Sequence, residues 1–171
     1  MDNQNDLGEF VRLMQVHKGI VYKICNSYCI NRADREDLAQ EITYQLWRSG
    51  ATFRADQKFS TWMYRVALNV AISFYRKRRR AGAVITYKEQ LSDLAEQDET
   101  EYENELEKAR RVLQQSINEL KELDRALIIL FLEAKSYREI AEIVGITETN
   151  VATKISRIKE KLKQKIQSIN N

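Results

Sequence analysis

Apolar residues recur every three or four positions along most of this chain, which is the spacing of amphipathic helices. The clearest stripe, formed by Phe59, Met63, Val66 and Val70, predicts one face of a long helix that starts near Phe59 and runs to Arg80. The chain has no proline and five glycines, and this scarcity of turn-forming residues favours helices joined by short links. The pattern therefore predicts an all-α fold.

Two other helices are predicted ahead of the long one. Apolar stripes indicate a first helix over residues 6–30 and a second over about residues 33–49, and with the long helix they would form a small domain over residues 1–80. The second helix has a polar, partly acidic side, which is either an ordinary solvated face or a docking surface for a basic partner helix. On its opposite, buried side we expect Leu38, Ile42, Leu46 and Trp47.

Charge is distributed in blocks along the chain, although the net charge is only +3. Residues 54–80 carry eight basic and one acidic group, and residues 106–171 carry thirteen basic and nine acidic groups. Residues 81–105, between them, carry one basic and eight acidic groups. Low hydrophobicity with high charge predicts an acidic, flexible linker over residues 81–104, so that residues 105–171 form a second small helical domain. The two basic blocks are typical of a nucleic-acid-binding protein.

The long helix carries a second face of a different character. Trp62, Arg65 and Asn69 recur on it at helical spacing, and a basic run at residues 76–80 ends the helix. Aromatic rings stack on unpaired bases and cations follow phosphates, so this face suits a nucleic-acid strand whose bases are exposed. The stretch alone equally allows the aromatic residues to be core and the cations to be a solvated helix end that suits the helix dipole.

The most specific pattern lies in residues 136–165. Ser136, three residues before Glu139, matches a capping box, and Gly145 supplies the positive φ of a tight turn between two helices. Thr147 is expected to cap the second of these helices, whose outward side carries hydroxyl, amide and cationic groups suited to a DNA major groove. The spacing predicts a helix-turn-helix, with an ordinary helical hairpin in a bundle as the alternative.

Residues able to support catalysis or bind a metal are scarce. Cys25 and Cys29 lie four positions apart, and the only histidine is His17, which is too few ligands for a tetrahedral metal site. We expect both cysteines to be buried free thiols. With no catalytic set and no glycine-rich phosphate loop, the chain is not expected to be an enzyme or to use a cofactor. It also lacks a membrane-length apolar run and a signal-peptide pattern, so a cytoplasmic location is expected.

Three segments, in this order along the chain, resemble motifs of bacterial sigma factors. The segment DREDLAQEITYQLW at residues 34–47 resembles the polymerase-docking helix of that family. Its promoter-melting helix resembles FSTWMYRVALNVAISFYRKRRR at residues 59–80, and its carboxy-terminal helix-turn-helix is similar to SYREIAEIVGITETNVATKISRIKEKL at residues 136–162. With two modules and a short linker, the chain resembles the small extracytoplasmic-function (ECF) class of the sigma-70 family.

The resemblance implies a role for each segment. A docking surface for the clamp helices of the polymerase β′ subunit would comprise Asp34, Asp37, Gln40 and Glu41. A second set would engage the promoter −10 element and help to open it: Lys58, Thr61, Trp62, Arg65 and Asn69. The basic residues that follow would hold the nearby phosphates: Arg76, Lys77, Arg79 and Arg80. The −35 element would be read by Thr149, Asn150, Thr153, Lys154 and Arg157. The implied partners are core RNA polymerase, promoter DNA and an anti-sigma factor, and the acidic linker would lie in the RNA-exit path.

Two other functions compete with this interpretation. A helix-turn-helix repressor or activator that binds duplex DNA without polymerase would explain residues 106–168, but it gives no task to the acidic helix or the long basic helix. An RNA-processing or other nucleic-acid enzyme is the more distant alternative, and it would act on nucleic acid without polymerase.

Overall fold

The computed structural model describes residues 3–82 and 105–169, and the regular elements in these two stretches are all helical. Contacts between Cα atoms divide the chain into two compact units, Met1–Lys77 and Arg78–Asn171. The predicted all-α, two-domain fold class is confirmed. Most of the predicted linker, residues 83–104, lies outside the described residues. In the described part of the chain, no helix has the length and hydropathy needed to cross a membrane.

Helices α1 to α4 build the first unit, with α4 ending just past its boundary. They are α1 (Asn3–Val16), α2 (Lys18–Tyr28), α3 (Arg32–Ser49) and α4 (Phe59–Arg80). The prediction of one helix over residues 6–30 is wrong, because a tight turn at His17 separates α1 from α2. There the Ile20 amide donates to the His17 carbonyl at 2.9 Å. The apolar stripe continues across this turn, so periodicity could not reveal it.

The start of α3 is fixed by a cap and by an arginine. The Asp34 amide donates to Oδ1 of Asn31 at 2.7 Å, which satisfies one of the open amides of the first turn. Arg35 donates through Nη1 to Oδ1 of Asn26 at 3.0 Å and through Nη2 to the Ile30 carbonyl at 3.0 Å. The guanidinium therefore ties the beginning of α3 to the end of α2.

Replacing Arg35 with alanine is expected to lower the free energy of unfolding by ~1–3 kcal/mol, because partly buried hydrogen-bond acceptors lose their donor. Arg32→Ala is the matched control on the same turn, since Arg32 is 89% exposed and pairs with Glu36 on the surface. It should cost less than ~1 kcal/mol. Urea titration followed by circular dichroism measures both variants, and equal losses would contradict the proposed difference.

The core between α1 and the start of α4 is aromatic. The rings of Phe59 and Trp62 lie with their centroids 5.3 Å apart, and Phe53 lies 5.1 Å from Phe59 and 5.6 Å from Trp62. Phe10 reaches both from α1, at 5.7 and 5.8 Å. The Trp62 Nε1–H points to Oγ1 of Thr52 at 3.4 Å, so its polar edge is also directed into the protein. These contacts place the beginning of α4 firmly in the first unit.

The described residues of the second unit, 105–169, form four helices. They are α5 (Glu105–Asn118), α6 (Glu122–Leu132), α7 (Tyr137–Val144) and α8 (Glu148–Ile169). Buried Arg125 donates to the carbonyls of Asn118 and, at 3.2 Å, Leu120, which joins the end of α5 to α6. Side chains with little or no exposure fill the centre of the unit: Leu127, Leu130, Ile140, Val151 and Ile155.

The turn between α7 and α8 follows the predicted chemistry. The Glu139 amide donates to Oγ of Ser136 at 3.2 Å and the Ser136 amide donates to the Glu139 carboxylate at 2.9 Å, which completes the capping box. Gly145 ends α7 with φ of 79°, a left-handed conformation that glycine adopts without steric cost. Thr147 then caps α8 by accepting from the Asn150 amide at 3.1 Å. The structure therefore has the predicted helix-turn-helix elements at this point.

Candidate protein and nucleic-acid interfaces

The first candidate surface is the exposed side of α3. Asp37, Gln40 and Glu41 recur at helical spacing and are exposed, while Leu38 and Ile42 anchor the opposite side of the helix in the core. The Glu41 carboxylate accepts from Nε2 of its neighbour one turn on, Gln45, at 2.9 Å. The predicted docking residues are thus brought together on one face, and their carboxylates suit a cationic partner.

Asp34 differs from the other predicted docking residues. Its amide and carboxylate are both engaged with Asn31, whose Nδ2 donates to Oδ2 of Asp34 at 2.9 Å. Asp34 is half-buried at the first turn of α3, where a carboxylate also suits the helix dipole. The structure therefore gives Asp34 a role in starting the helix.

Two aromatic side chains complete this face, and the sequence did not single them out. Tyr44 is 57% exposed and Trp47 is 53% exposed, so the prediction that Trp47 lies on the buried side of α3 is wrong. Together with Gln40 they line a shallow, mostly apolar groove beside the acidic residues. Gln40, Tyr44 and Trp47 are spaced by four and three residues, so the sequence already indicated that they share one face of the helix. Exposed aromatic rings in an apolar groove are typical of protein interaction sites.

The second candidate surface lies along α4, and the structure divides its predicted residues. Lys58 and Asn69 are exposed and Arg65 is half-buried. Thr61 and Trp62 are each only 3% exposed, so they do not form part of a surface in this structure. The DNA-contacting position that the resemblance implied for Trp62 is corrected in favour of the alternative that it is core, because the rings of Phe10 and Phe53 pack against the indole.

The basic end of α4 remains accessible. Arg76, Lys77, Arg79 and Arg80 are exposed, and Arg78 is half-buried. A short turn follows, with Gly82 at φ of 66°. With Lys58 and Arg65, these cations spread positive charge along most of the length of α4, which suits a phosphate backbone.

The third candidate surface is the outward side of α8. Thr149, Asn150, Thr153 and Arg157 are exposed, and Lys154 is half-buried. The Thr153 hydroxyl donates to the Thr149 carbonyl at 3.0 Å, which leaves its oxygen lone pairs facing outward as acceptors. The inward side of the helix is apolar and includes Val151, Ile155, Ile158 and Leu162. The structure therefore brings all five predicted residues onto the first three turns of the second helix of the helix-turn-helix, the helix that reads base edges in such motifs.

The described residues contain no cluster of three or more histidine, cysteine or acidic side chains arranged to hold a metal ion. Cys25 and Cys29 are buried free thiols, as predicted. Burial raises the pKa of the Cys25 thiol to about 11, with a smaller opposing effect from the charge of Arg35. A neutral thiol in the core is a weak nucleophile and a poor metal ligand.

Native protein is therefore expected to resist alkylation of Cys25 by iodoacetamide at pH 8, because the thiolate is scarce and covered. Stability should also decline between pH 9 and about 11, since the unfolded thiol loses its proton before the folded one does. Mass spectrometry of native and urea-unfolded protein measures the alkylation. Urea unfolding at each pH measures the stability, with Cys25→Ala as the control that should lack this decline. Rapid labelling of folded protein would contradict burial of the thiol.

Each of the two units contains a segment that matches a known family model. The family model for sigma-70 region 2 matches residues 13–81, and the model for sigma-70 region 4 matches residues 110–162. The first therefore covers α3 and α4, and the second covers the helix-turn-helix. Each of the three candidate surfaces lies within a matched segment.

Two relatives that match most of the chain are also ECF sigma factors. The chain is 28% identical to the ECF RNA polymerase sigma factor SigW of Bacillus subtilis (strain 168), over 97% of this chain and 93% of that protein. It is 30% identical to the ECF RNA polymerase sigma-E factor of Escherichia coli (strain K12), over 80% of this chain and 75% of that protein.

Solved structures share the fold. The sigma factor RpoE in complex with the anti-sigma factor NepR from Bartonella quintana matches with a TM-score of 0.66 at 20% identity, covering 93% of this chain and 97% of that one. CnrH in complex with the cytosolic domain of CnrY matches with a TM-score of 0.64 at 22% identity. The chain therefore belongs to the bacterial sigma-70 family as an ECF sigma factor, a protein that binds RNA polymerase and directs transcription initiation at promoters.

Proposed function

We propose that this sigma factor docks on the β′ clamp helices of core RNA polymerase through the exposed face of α3. The observation that carries the proposal is the arrangement of Asp37, Gln40 and Glu41 beside the exposed rings of Tyr44 and Trp47. Carboxylates attract and orient a cationic partner, while exposed aromatic rings bury apolar area and can receive an arginine side chain. We expect the charges to govern the association rate and the aromatic rings to slow dissociation.

Promoter opening is assigned to α4 in the same proposal. Lys58, Arg65 and Asn69 lie along its accessible side, and the cations of residues 76–80 follow at its end. These groups would hold the phosphates and polar edges of the parted −10 strand. Trp62 would support this surface from below rather than stack on a base, because its indole is packed against phenylalanine rings.

Recognition of the −35 element is assigned to the start of α8, where hydroxyl, amide and cationic groups face outward. Arg157→Ala is expected to weaken transcription from a promoter with an intact −35 element by roughly 5- to 150-fold, which is the effect of losing ~1–3 kcal/mol at one contact. Lys163→Ala, an exposed cation further along α8, is the matched control. Polymerase binding should be unchanged in both, and an Arg157→Ala variant as active as Lys163→Ala would remove Arg157 from the interface.

The remaining partners and roles follow from the same assignment. RNA synthesis would belong to the polymerase, with no catalytic step or cofactor supplied by this chain, and the protein would act in the cytoplasm. Residues 81–104 would occupy the RNA-exit path. An anti-sigma factor is also proposed, because both solved relatives described above are bound to another protein, in one case named as an anti-sigma factor.

Run-off transcription with core RNA polymerase tests the proposal. We expect promoter-dependent transcripts only when this protein is added, and no sequence-specific, high-affinity binding to duplex DNA in the absence of polymerase. The opposite pattern, tight specific binding alone and no stimulation of polymerase on the same bound sequences, would favour an independent helix-turn-helix regulator.

A further inference from the structure

Phe10, on α1, lies where three parts of the first unit meet. Its ring centroid is 6.2 Å from that of Trp47 on α3, and 5.7 and 5.8 Å from those of Phe59 and Trp62 in the first turn of α4. All three contacts are edge-on, with interplanar angles of 64°, 77° and 68°, which is a geometry that aromatic pairs favour. One side chain therefore joins the helix of the docking face to the helix of the basic surface.

The backbone after α3 holds the tip of the same ring. A Cβ atom built on Gly50 would lie 2.9 Å from Cζ of Phe10 and 3.3 Å from both Cε atoms, closer than a methyl group and a ring normally approach. Phe10 thus has Gly50 at its tip and three aromatic rings around it. A methyl group at position 50 would therefore force the Phe10 ring to shift.

We propose that Phe10 is a positioning residue for promoter opening, which fixes the start of α4 relative to the docking helix α3. This inference rests on the function proposed above. When polymerase holds α3, the Phe10 ring would keep α4 at the place where its accessible groups meet the parted strand. In enzyme active sites, a displacement of about 1 Å can cost ~100-fold in rate, and we expect opening to depend on placement in the same sense.

Docking and folding depend less on this ring. Of the proposed docking residues, Trp47 touches the Phe10 ring by an edge contact, but α3 itself is anchored by its own apolar residues on its opposite side. The first turn of α4 keeps other contacts, because Phe53 and His17 also pack against Phe59, at 5.1 and 5.6 Å. A shorter apolar side chain at position 10 should therefore loosen the placement of α4 while the unit stays folded.

The first test uses Phe10→Leu in the full-length protein with core RNA polymerase. Affinity for polymerase should stay within about twofold of wild type, while run-off transcription from a fully double-stranded promoter should fall by about tenfold or more. The same promoter with an already unpaired −10 region should restore most of the activity, because opening is no longer required. Leu7→Ala, an exposed position one turn earlier on α1, is the control and should behave as wild type on both templates.

The second test adds a methyl group next to the tip of the Phe10 ring. Gly50→Ala should give the same template-dependent loss, and adding it to Phe10→Leu should cost less than the product of the single effects, since leucine leaves room for the new methyl group. Equal losses on both templates, or a Phe10→Leu variant indistinguishable from Leu7→Ala, would overturn the positioning role while leaving the proposed function in place. Wild-type protein inactive on both templates would instead remove the proposed function, and this inference with it.

Discussion

Reversing the charge at Asp37 is expected to abolish binding to core RNA polymerase. Asp37→Arg places a cation in the middle of the exposed acidic face of α3, directly against the cationic partner expected there. Loss of an attractive pair together with a new like-charge contact costs several kcal/mol at an interface, or roughly 100-fold or more in affinity. Fluorescence anisotropy or gel filtration with core polymerase measures this loss, which should carry promoter-dependent transcription down with it.

The control for Asp37→Arg is the same change of charge at another exposed acidic residue. Glu9 lies on α1 and pairs with Arg12 on the surface, so Glu9→Arg alters the net charge equally without touching α3. It should leave polymerase binding within about threefold of wild type, as expected for a screened charge outside the contact. Because Asp37 is exposed, Asp37→Arg should also unfold at the wild-type urea concentration. A folded Asp37→Arg variant that binds as well as Glu9→Arg would exclude the α3 face as the docking site.

The two tryptophans of the chain are expected to give opposite results when each is replaced with alanine. Trp62→Ala should lower the free energy of unfolding of the first unit by ~3–5 kcal/mol, because it removes a fully packed indole from the aromatic core. Polymerase binding and promoter opening should then decline together as the unit loses its structure. Urea unfolding followed by circular dichroism gives the stability, and binding assays at low and raised temperature show whether the losses follow unfolding.

Trp47→Ala provides the matched comparison. The side chain is half exposed, so its removal should cost the fold less than ~2 kcal/mol, although its edge contact with Phe10 is lost. Polymerase affinity should nevertheless fall by about tenfold or more, mainly through faster dissociation, as for an aromatic anchor in an interface. If Trp62→Ala kept full stability and normal docking and failed only in opening, an exposed stacking role for Trp62 would be restored.

The sequence grouped the charged residues of the proposed docking face but misplaced Trp47. Charged residues at helical spacing placed Asp37 and Glu41 on one side of α3, and the structure exposes both. The sequence predicts Trp47 on the buried side, which is wrong, and it allows Trp62 to be either core or exposed. The resemblance assigns Trp62 to the DNA-binding surface, and the structure buries it. Periodicity along one helix gives only which residues share a face. It does not say which face a distant aromatic ring, here that of Phe10, will cover.

Local chemistry was enough for the helix-turn-helix. A capping box at Ser136, a left-handed glycine at position 145 and a threonine cap at position 147 each act within four residues of sequence. Such short-range interactions are specified by the residues themselves, so both ends of α7, the start of α8 and the outward side of α8 could be predicted directly. The same holds for α3, whose predicted start differs from the observed one by a single residue.

By itself, the sequence determined the all-helical class, the order of the three functional segments and the residues that share each helical face, because these depend on spacing and on contacts between near neighbours. Only the tertiary structure decided that the chain turns at His17, that Trp62 is core and that Trp47 is surface. The burial of Trp62 depends on the Phe10 ring, which α1 brings from more than forty positions away, and on the Phe53 ring from the loop before α4. A contact across that distance leaves no periodic trace in the chain.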